Sequence, residues 1–149
     1  MCGIVGAYYF DPSRKMEEAH IRAMAERMVH RGPDDWGAHV EGPAGIGMRR
    51  LSIIDLEGGH QPIFSADGSK AIVFNGEVYN FRDLRPGLEA AGFPFHTHSD
   101  TEVVLRAYER DGTGFLDELN GMYGLAVWDR DRKRLVIARD RIEIGRAHV

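Results

Sequence analysis

Residues 122–138 read MYGLAVWDRDRKRLVIA, and this stretch decides the fold class. Met122 to Trp128 and Leu135 to Ala138 are apolar runs of strand length, and they predict two buried strands. The charged run Asp129 to Arg134 lies between them and predicts a hairpin turn, which makes the pair antiparallel. Further strands are expected at Gly3 to Phe10, Trp36 to Val40, Gly45 to Arg49, Leu51 to Ile54 and Ala71 to Phe74. Asn75-Gly76 follows the last of these as a turn signal. Helical spacing runs from Met16 to His30 through Met16, Ala19, Met24 and Met28, with Ile21 and Ala25, and Arg31-Gly32-Pro33 ends it. A second helix is expected over Phe81 to Ala91, stopping at Gly92. A third starts near Ser99, where Ser99 and Glu102 form a capping box. Strands, hairpins and helices without regular βαβ alternation predict an α+β fold with largely antiparallel sheets.

The chain has 149 residues, enough for one ordinary domain. Nineteen Lys and Arg against twenty-three Asp and Glu give a net charge of −4, which excludes a strongly basic nucleic-acid binder. No apolar run approaches the ~20 residues of a membrane helix, and the N-terminus lacks a signal peptide's basic region. One cysteine forms no internal disulfide, so the expected compartment is the cytoplasm. Eighteen glycines imply many tight turns and close backbone approaches.

A lone cysteine is most often a small buried hydrophobe, but position 2 changes its meaning. Aminopeptidases remove Met1 ahead of a small residue, and Cys2 would then carry both a thiol and a free α-amine. That amine has a reference pKa of ~7.7–8.0 and can act as a base near neutral pH. This is the N-terminal nucleophile arrangement, suited to attack on an amide or ester carbonyl. Such chemistry needs an oxyanion hole, and Asn75-Gly76 offers a side-chain amide and a backbone N–H for one; the alternative is a plain Asn-Gly turn.

Arg50, at the start of the expected strand Leu51 to Ile54, could hold a carboxylate in bidentate fashion. Asp100, at the start of a helix, could pair with an ammonium. Together they read as a clamp for a free α-amino acid; singly, they read as a surface ion and a helix N-terminal charge. Arg31 is either a neighbour of the thiolate or a solvated arginine. His96 and His98 alternate on an expected strand without a third ligand, so no metal site is expected. No phosphate-binding glycine loop occurs.

The segments MCGIVG, HRGPDDWG, RRLSIIDL, GGHQP, VFNGEVYNF, SDTE, NGMYGLAVWD and ARDR follow one another from residue 1 to about residue 141. Eight such segments in order resemble the N-terminal glutaminase domain of glutamine-hydrolysing asparagine synthetase, a class II glutamine amidotransferase. The resemblance implies an N-terminal nucleophile fold, a four-layer αββα sandwich of two antiparallel sheets between helices. It implies hydrolysis of L-glutamine to glutamate and ammonia through a γ-glutamyl thioester. Cys2 matches the nucleophile, Asn75 and Gly76 the oxyanion hole, and Arg50 the residue holding the α-carboxylate. Glu77 and Asp100 match residues near the α-ammonium. Leu51, Ser52, Ile53 and Ile54 match the pocket wall.

Residues 1–143 are expected to be a partial amidotransferase domain, incomplete at the C-terminus. Residues 144–149, IGRAHV, resemble a translated sequencing adapter and are expected to be a non-native tail. The expected partner is a missing C-terminal synthetase domain that makes asparagine from aspartate, in a homodimer at full length. No cofactor is expected in this domain; ATP and magnesium belong to the missing one. No nucleic-acid or membrane partner is expected. The rival readings are a different ammonia acceptor, a sugar or a peptide, and a non-catalytic scaffold.

Overall fold

A computed structural model describes residues 2–11, 13–51 and 59–142. Two wholly antiparallel sheets organise them. The first has the order β1-β3-β2, with β1 at Gly3–Tyr8, β2 at Asp35–Glu41 and β3 at Ala44–Arg50. The second runs β4-β5-β6-β7, with β4 at Ile63–Phe64, β5 at Lys70–Val78, β6 at Gly121–Asp129 and β7 at Arg134–Arg139. The expected hairpin is the β6–β7 pair. Arg130 to Lys133 make its turn, with Lys133 in the left-handed region at φ 48°. Asp129 closes the turn by accepting from Arg132 N at 3.0 Å.

Alternation along each strand sorts side chains onto two faces. Ala44, Ile46 and Met48 of β3 meet Ala71 and Val73 of β5 and Ala126 and Trp128 of β6 in a core between the sheets. Cys2, Ile4 and Tyr8 pack against that same core. Trp128 Nε1 donates to Glu41 Oε2 at 2.8 Å and ties the sheets together at one edge.

The opposite face of each sheet carries helices. On the first sheet lies α1, Glu18–Glu26, which buries Ile21 and Ala25. Ile21 reaches the strand backbone because Gly45 and Gly47 have no side chains. A Cβ on either would sit 2.7 Å from Ile21 carbons. On the second sheet lie α2, Phe81–Ala90, and α3, Asp100–Asp111, followed by a 3-10 turn at Gly112–Asp117. Their core joins Ile72, Phe74, Leu125 and Val127 to Leu88, Val103, Tyr108 and Phe115. The layers are therefore helix, sheet, sheet, helices, the αββα sandwich.

Several local expectations are corrected. Asn75-Gly76 is not a turn but the interior of β5, because the ladder to β6 continues through Asn75↔Gly124 and Gly76↔Tyr123 to Val78↔Gly121. Arg50 closes β3 rather than opening a strand, and Leu51 lies outside any strand; the rest of the expected strand, 52–54, lies outside the described residues. Helix α1 is shorter than Met16 to His30, and its inward stripe is Ile21 and Ala25, with Ala19 and Met24 exposed. After Glu26 the backbone bonds tighten to three-residue steps, such as Met28 N to Ala25 O and Arg31 N to Met28 O.

The capping box is half formed. Ser99 Oγ accepts from Glu102 N at 3.2 Å, but the Glu102 carboxylate takes the N–H groups of His96 and Thr97 instead of Ser99. His96 and His98 lie on coil, not on a strand. The short β4 and the 3-10 turn have no counterpart among the expected elements.

Candidate active site

One end of the inter-sheet face gathers the polar groups. Cys2 precedes β1 by one residue and shares the face of Ile4. Arg50 follows Ile46 and Met48 at the end of β3, and Asn75 follows Ala71 and Val73 along β5. The same period of two that builds the apolar core thus places a thiol, a guanidinium and a carboxamide on the inter-sheet face. Arg50 and Asn75 are each buried to 8% exposure, and Cys2 is half-buried.

Direct contacts join Cys2 to Leu51, Asn75 and Arg31. Leu51 N donates to Cys2 Sγ at 3.4 Å, and the thiol faces Leu51 O at 3.7 Å. The Cys2 carbonyl accepts from Asn75 Nδ2 at 2.8 Å and from Arg31 Nε at 3.3 Å. Arg31 therefore sits against the backbone of the cysteine. Arg50 packs its guanidinium on Gly59, where an added Cβ would lie 2.0 Å from Nη2. Leu51, expected in the pocket wall, lies with its backbone against the Cys2 thiol; Ser52, Ile53 and Ile54 lie outside the described residues.

Gly76 is exposed beside Asn75, and its lack of a side chain is a packing requirement. A Cβ there would stand 2.1 Å from Met122 O, well inside any real contact. Beyond it, Glu77 is exposed on the strand and Asp100 opens α3. Asp100 Oδ2 accepts from Val78 N at 2.9 Å. Burial, reinforced by the nearby Glu77 carboxylate, raises Asp100 above its ordinary pKa, while the N–H groups of Val78 and Thr101 oppose that rise. The two carboxylates expected near an ammonium are thus electrostatic neighbours.

Residue-by-residue reasoning gave no role to Gln61, which lies within the quoted GGHQP segment. Its side chain is buried, and it bonds both backbone groups of Phe74, the residue before Asn75. The signal was a polar amide in a segment otherwise built for a turn.

Two concavities lie elsewhere. One, of about 50 Å³, is lined by Arg22, Ala25, Glu26, Trp36 and Arg49; an open cleft is lined by Phe81, Arg82, Arg85, Glu89 and His98. Neither includes Cys2, Arg50 or Asn75. Among the described residues, no group of three or more His, Cys, Asp or Glu side chains is placed to hold a metal ion, and no helix is long and apolar enough to cross a membrane.

Comparison with known proteins shows the family and agrees with the fold. Residues 1–145 match the sequence profile of the glutamine amidotransferase domain. The chain is 40% identical over 146 residues to asparagine synthetase [glutamine-hydrolyzing] 2 of Bacillus subtilis (strain 168), covering 97% of this chain and 19% of that protein. It is 33% identical over 149 residues to asparagine synthetase [glutamine-hydrolyzing] of Brassica oleracea, covering 100% of this chain and 25% of that one. The chain thus spans about a fifth to a quarter of the length of these relatives.

Among solved structures, glutamine phosphoribosylpyrophosphate amidotransferase from B. subtilis superposes with a TM-score of 0.55 at 28% identity, over 68% of this chain and 24% of that one. A structure described as the allosteric regulatory enzyme of purine biosynthesis superposes with a TM-score of 0.56 at 23% identity, over 92% of this chain and 31% of that one, and supports the fold.

Proposed function

This chain belongs to the glutamine amidotransferase domain family, and from that premise we propose that Cys2 hydrolyses L-glutamine to glutamate and ammonia. The observation that carries the reading is the contact of Cys2 with both Leu51 and Asn75, which joins the thiol to the neighbour of Arg50 and the backbone carbonyl of Cys2 to the amide of β5.

With Met1 removed, the α-amine of Cys2 takes the thiol proton. The thiolate attacks the γ-carboxamide carbon of glutamine, and the carbonyl oxygen becomes an oxyanion. The Asn75 carboxamide, held beside the nucleophile by its bond to Cys2 O, is assigned to the oxyanion together with Gly76 N–H. Collapse of the tetrahedral species breaks the C–N bond, and the Cys2 ammonium returns the proton to the leaving nitrogen as ammonia. A γ-glutamyl thioester remains. Water, deprotonated by the same amine, attacks it and releases glutamate and the thiol.

Arg50 holds the substrate α-carboxylate, and Asp100 with Glu77 holds the α-ammonium. Leu51, Ser52, Ile53 and Ile54 form the wall between. Arg31, bonded to the Cys2 carbonyl, adds positive charge beside the thiolate. This half-reaction takes no cofactor.

In the full-length protein the ammonia feeds ATP-dependent synthesis of asparagine from aspartate, with ATP and magnesium in the remaining synthetase part. The names of the relatives support that destination.

The test measures glutamate and ammonia release from glutamine by the full-length protein. The expected result is release by a protein whose intact mass lacks Met1, none by Cys2→Ala and little by Cys2→Ser, because a hydroxyl is a far weaker nucleophile than a thiolate. Activity retained in Cys2→Ala, or active protein that keeps Met1, overturns the mechanism.

A further inference from the structure

The segment Gly59–His60–Gln61 crosses from the first sheet to the second and touches Arg50, the strand partner of Arg50, and the residues beside Asn75 and Asp100. Gly59 underlies the Arg50 guanidinium. His60 Nδ1 bonds Asp35 Oδ2 at 2.8 Å, and Asp35 is the strand partner of Arg50. Gln61 Oε1 accepts from Phe74 N at 2.6 Å, and Gln61 Nε2 donates to Phe74 O at 3.1 Å. The same Nε2 lies 3.5 Å from Thr101 Oγ1, one residue after Asp100.

The strand ladder explains why a side chain is needed here. β4 pairs with β5 only through Ile63↔Ile72 and Phe64↔Ala71. Continuing that register would set residue 61 opposite Phe74, and the Gln61 carboxamide supplies the donor and acceptor that a longer β4 would have given. Phe74 is buried, so both of its backbone groups would otherwise lose partners.

We propose that Gln61 is a positioning residue for the oxyanion donor: its carboxamide fixes the backbone of β5 at Phe74, and so holds the Asn75 side chain at the nucleophile. The proposal rests on the glutaminase reading. A donor displaced by a fraction of an ångström loses its alignment with the oxyanion while substrate contacts made by Arg50 remain. The effect therefore falls on turnover more than on glutamine affinity.

Gln61→Met keeps the size and removes both hydrogen bonds. Gln61→Glu keeps the shape, and its state depends on pH. Ionised, it still accepts from Phe74 N–H but faces Phe74 O without a proton. Protonated, it reproduces both bonds. Burial raises a carboxyl above the ordinary Glu value of ~4.3, so recovery comes as pH falls through that raised value.

The experiment uses the full-length protein. It measures kcat and KM for glutamine against pH, together with the Asn75 side-chain amide signal and Phe74 N–H exchange by NMR. The expected result for Gln61→Met is a fall in kcat of about 10–100-fold with KM nearly unchanged. The Asn75 signal shifts and Phe74 N–H loses protection, while N–H groups in the β6–β7 pair keep theirs. Gln61→Glu recovers kcat relative to the parent as pH falls.

An unchanged kcat with an unmoved Asn75 signal overturns the proposal. So does a rise in KM alone, which would assign Gln61 to Asp100. Loss of protection across the whole protein, with no acid recovery in Gln61→Glu, overturns it as well by showing a role in general stability. A parent protein that releases no ammonia refutes the glutaminase reading instead. The NMR arm still decides whether Gln61 positions Asn75.

Discussion

Asn75 Nδ2 donates a 2.8 Å hydrogen bond to the backbone carbonyl of Cys2, although the two residues are 73 positions apart and lie on different sheets. The bond spans the gap between the first sheet, which Cys2, the proposed nucleophile, leads into, and the second, which carries Asn75, the proposed oxyanion donor. Both residues sit where apolar core gives way to polar groups, so the packing of Ile46, Met48 and Val73 sets the gap that this hydrogen bond spans. The proposed catalytic geometry is thus a by-product of sheet-on-sheet packing.

Asn75→Ala is expected to lower turnover by ~10²–10³-fold, the usual loss for one oxyanion donor. It also removes the donor to Cys2 O, leaving Arg31 as that carbonyl's other partner. Steady-state glutaminase kinetics check this. An unchanged kcat would remove Asn75 from the role, and a change in KM alone would place it on the substrate instead.

Arg50→Ala is expected to raise KM for glutamine strongly with a smaller effect on kcat, because a carboxylate clamp acts on the bound substrate before and during reaction alike. Arg50→Lys should recover only part of the affinity, since an ammonium cannot reproduce the bidentate fork. The guanidinium is fitted to the bare backbone of Gly59, so Gly59→Ala should mimic the defect. A loss confined to kcat would contradict the clamp.

Much of this was legible in the sequence. The β6–β7 hairpin follows from two apolar runs around a charged turn, and α3 from the Ser99 cap. The candidate site residues were singled out by their chemistry and segment order. Their relation to one another was not legible, because Cys2, Arg50 and Asn75 lie on distant segments that sheet packing brings together.

The misreading of Asn75-Gly76 has a definite cause. An Asn-Gly pair after an apolar run signals a turn when only local propensity counts. In the folded chain, Gly76 is required because Met122 O comes too close for any side chain, and the strand runs through it. Tertiary approach of β6 overrides the local signal. Glu102 is a similar case: its spacing from Ser99 predicted a cap, but the approaching coil at His96 and Thr97 offers its carboxylate more donors.

Asp100 gives a pH-dependent prediction. Its folded pKa lies above the ordinary 3.8, chiefly through burial. Between 3.8 and the raised value the folded state binds more protons than the unfolded state, so Asp100 lowers stability as pH rises through this window. Asp100→Asn keeps an acceptor for Val78 N–H and removes the buried charge. It should therefore be at least as stable as the parent at neutral pH, with a KM for glutamine raised by lost pairing to the ammonium. In the parent, KM should rise as pH falls through the raised Asp100 value, and in Asp100→Asn that dependence should flatten. Thermal melts and KM measured from acid to neutral pH check both signs; a KM with the same acid rise in the variant would exclude Asp100 as the group responsible.

Glu102, two residues further on, behaves in the opposite sense. It is 1% exposed and bonded to Arg106 Nη2 at 3.0 Å, to His96 N, and to Thr97 through both its N–H and its hydroxyl. Burial alone would raise its pKa, but the hydrogen bonds from Thr97, His96 and Arg106 outweigh it, and the net direction is down. Its contribution to stability is present above the ordinary 4.5 and is lost as pH falls through the lowered value. Glu102→Ala leaves Arg106 buried with Glu109 at 2.6 Å, and strips two backbone N–H groups of their acceptor. A broken buried ion pair costs about 3–5 kcal/mol, and the remaining Glu109 partner argues for the lower end, about 3 kcal/mol. That corresponds to a fall in Tm of roughly 6–12 °C for a domain of this size. Glu102→Gln, which keeps an acceptor for the coil, should lose less. Because α3 carries Asp100 at its first residue, Glu102→Ala should also raise KM for glutamine below its melting range. Melting and kinetic measurements on both variants check this, and a Glu102→Ala protein as stable as the parent would show that the approach to α3 is held by other contacts.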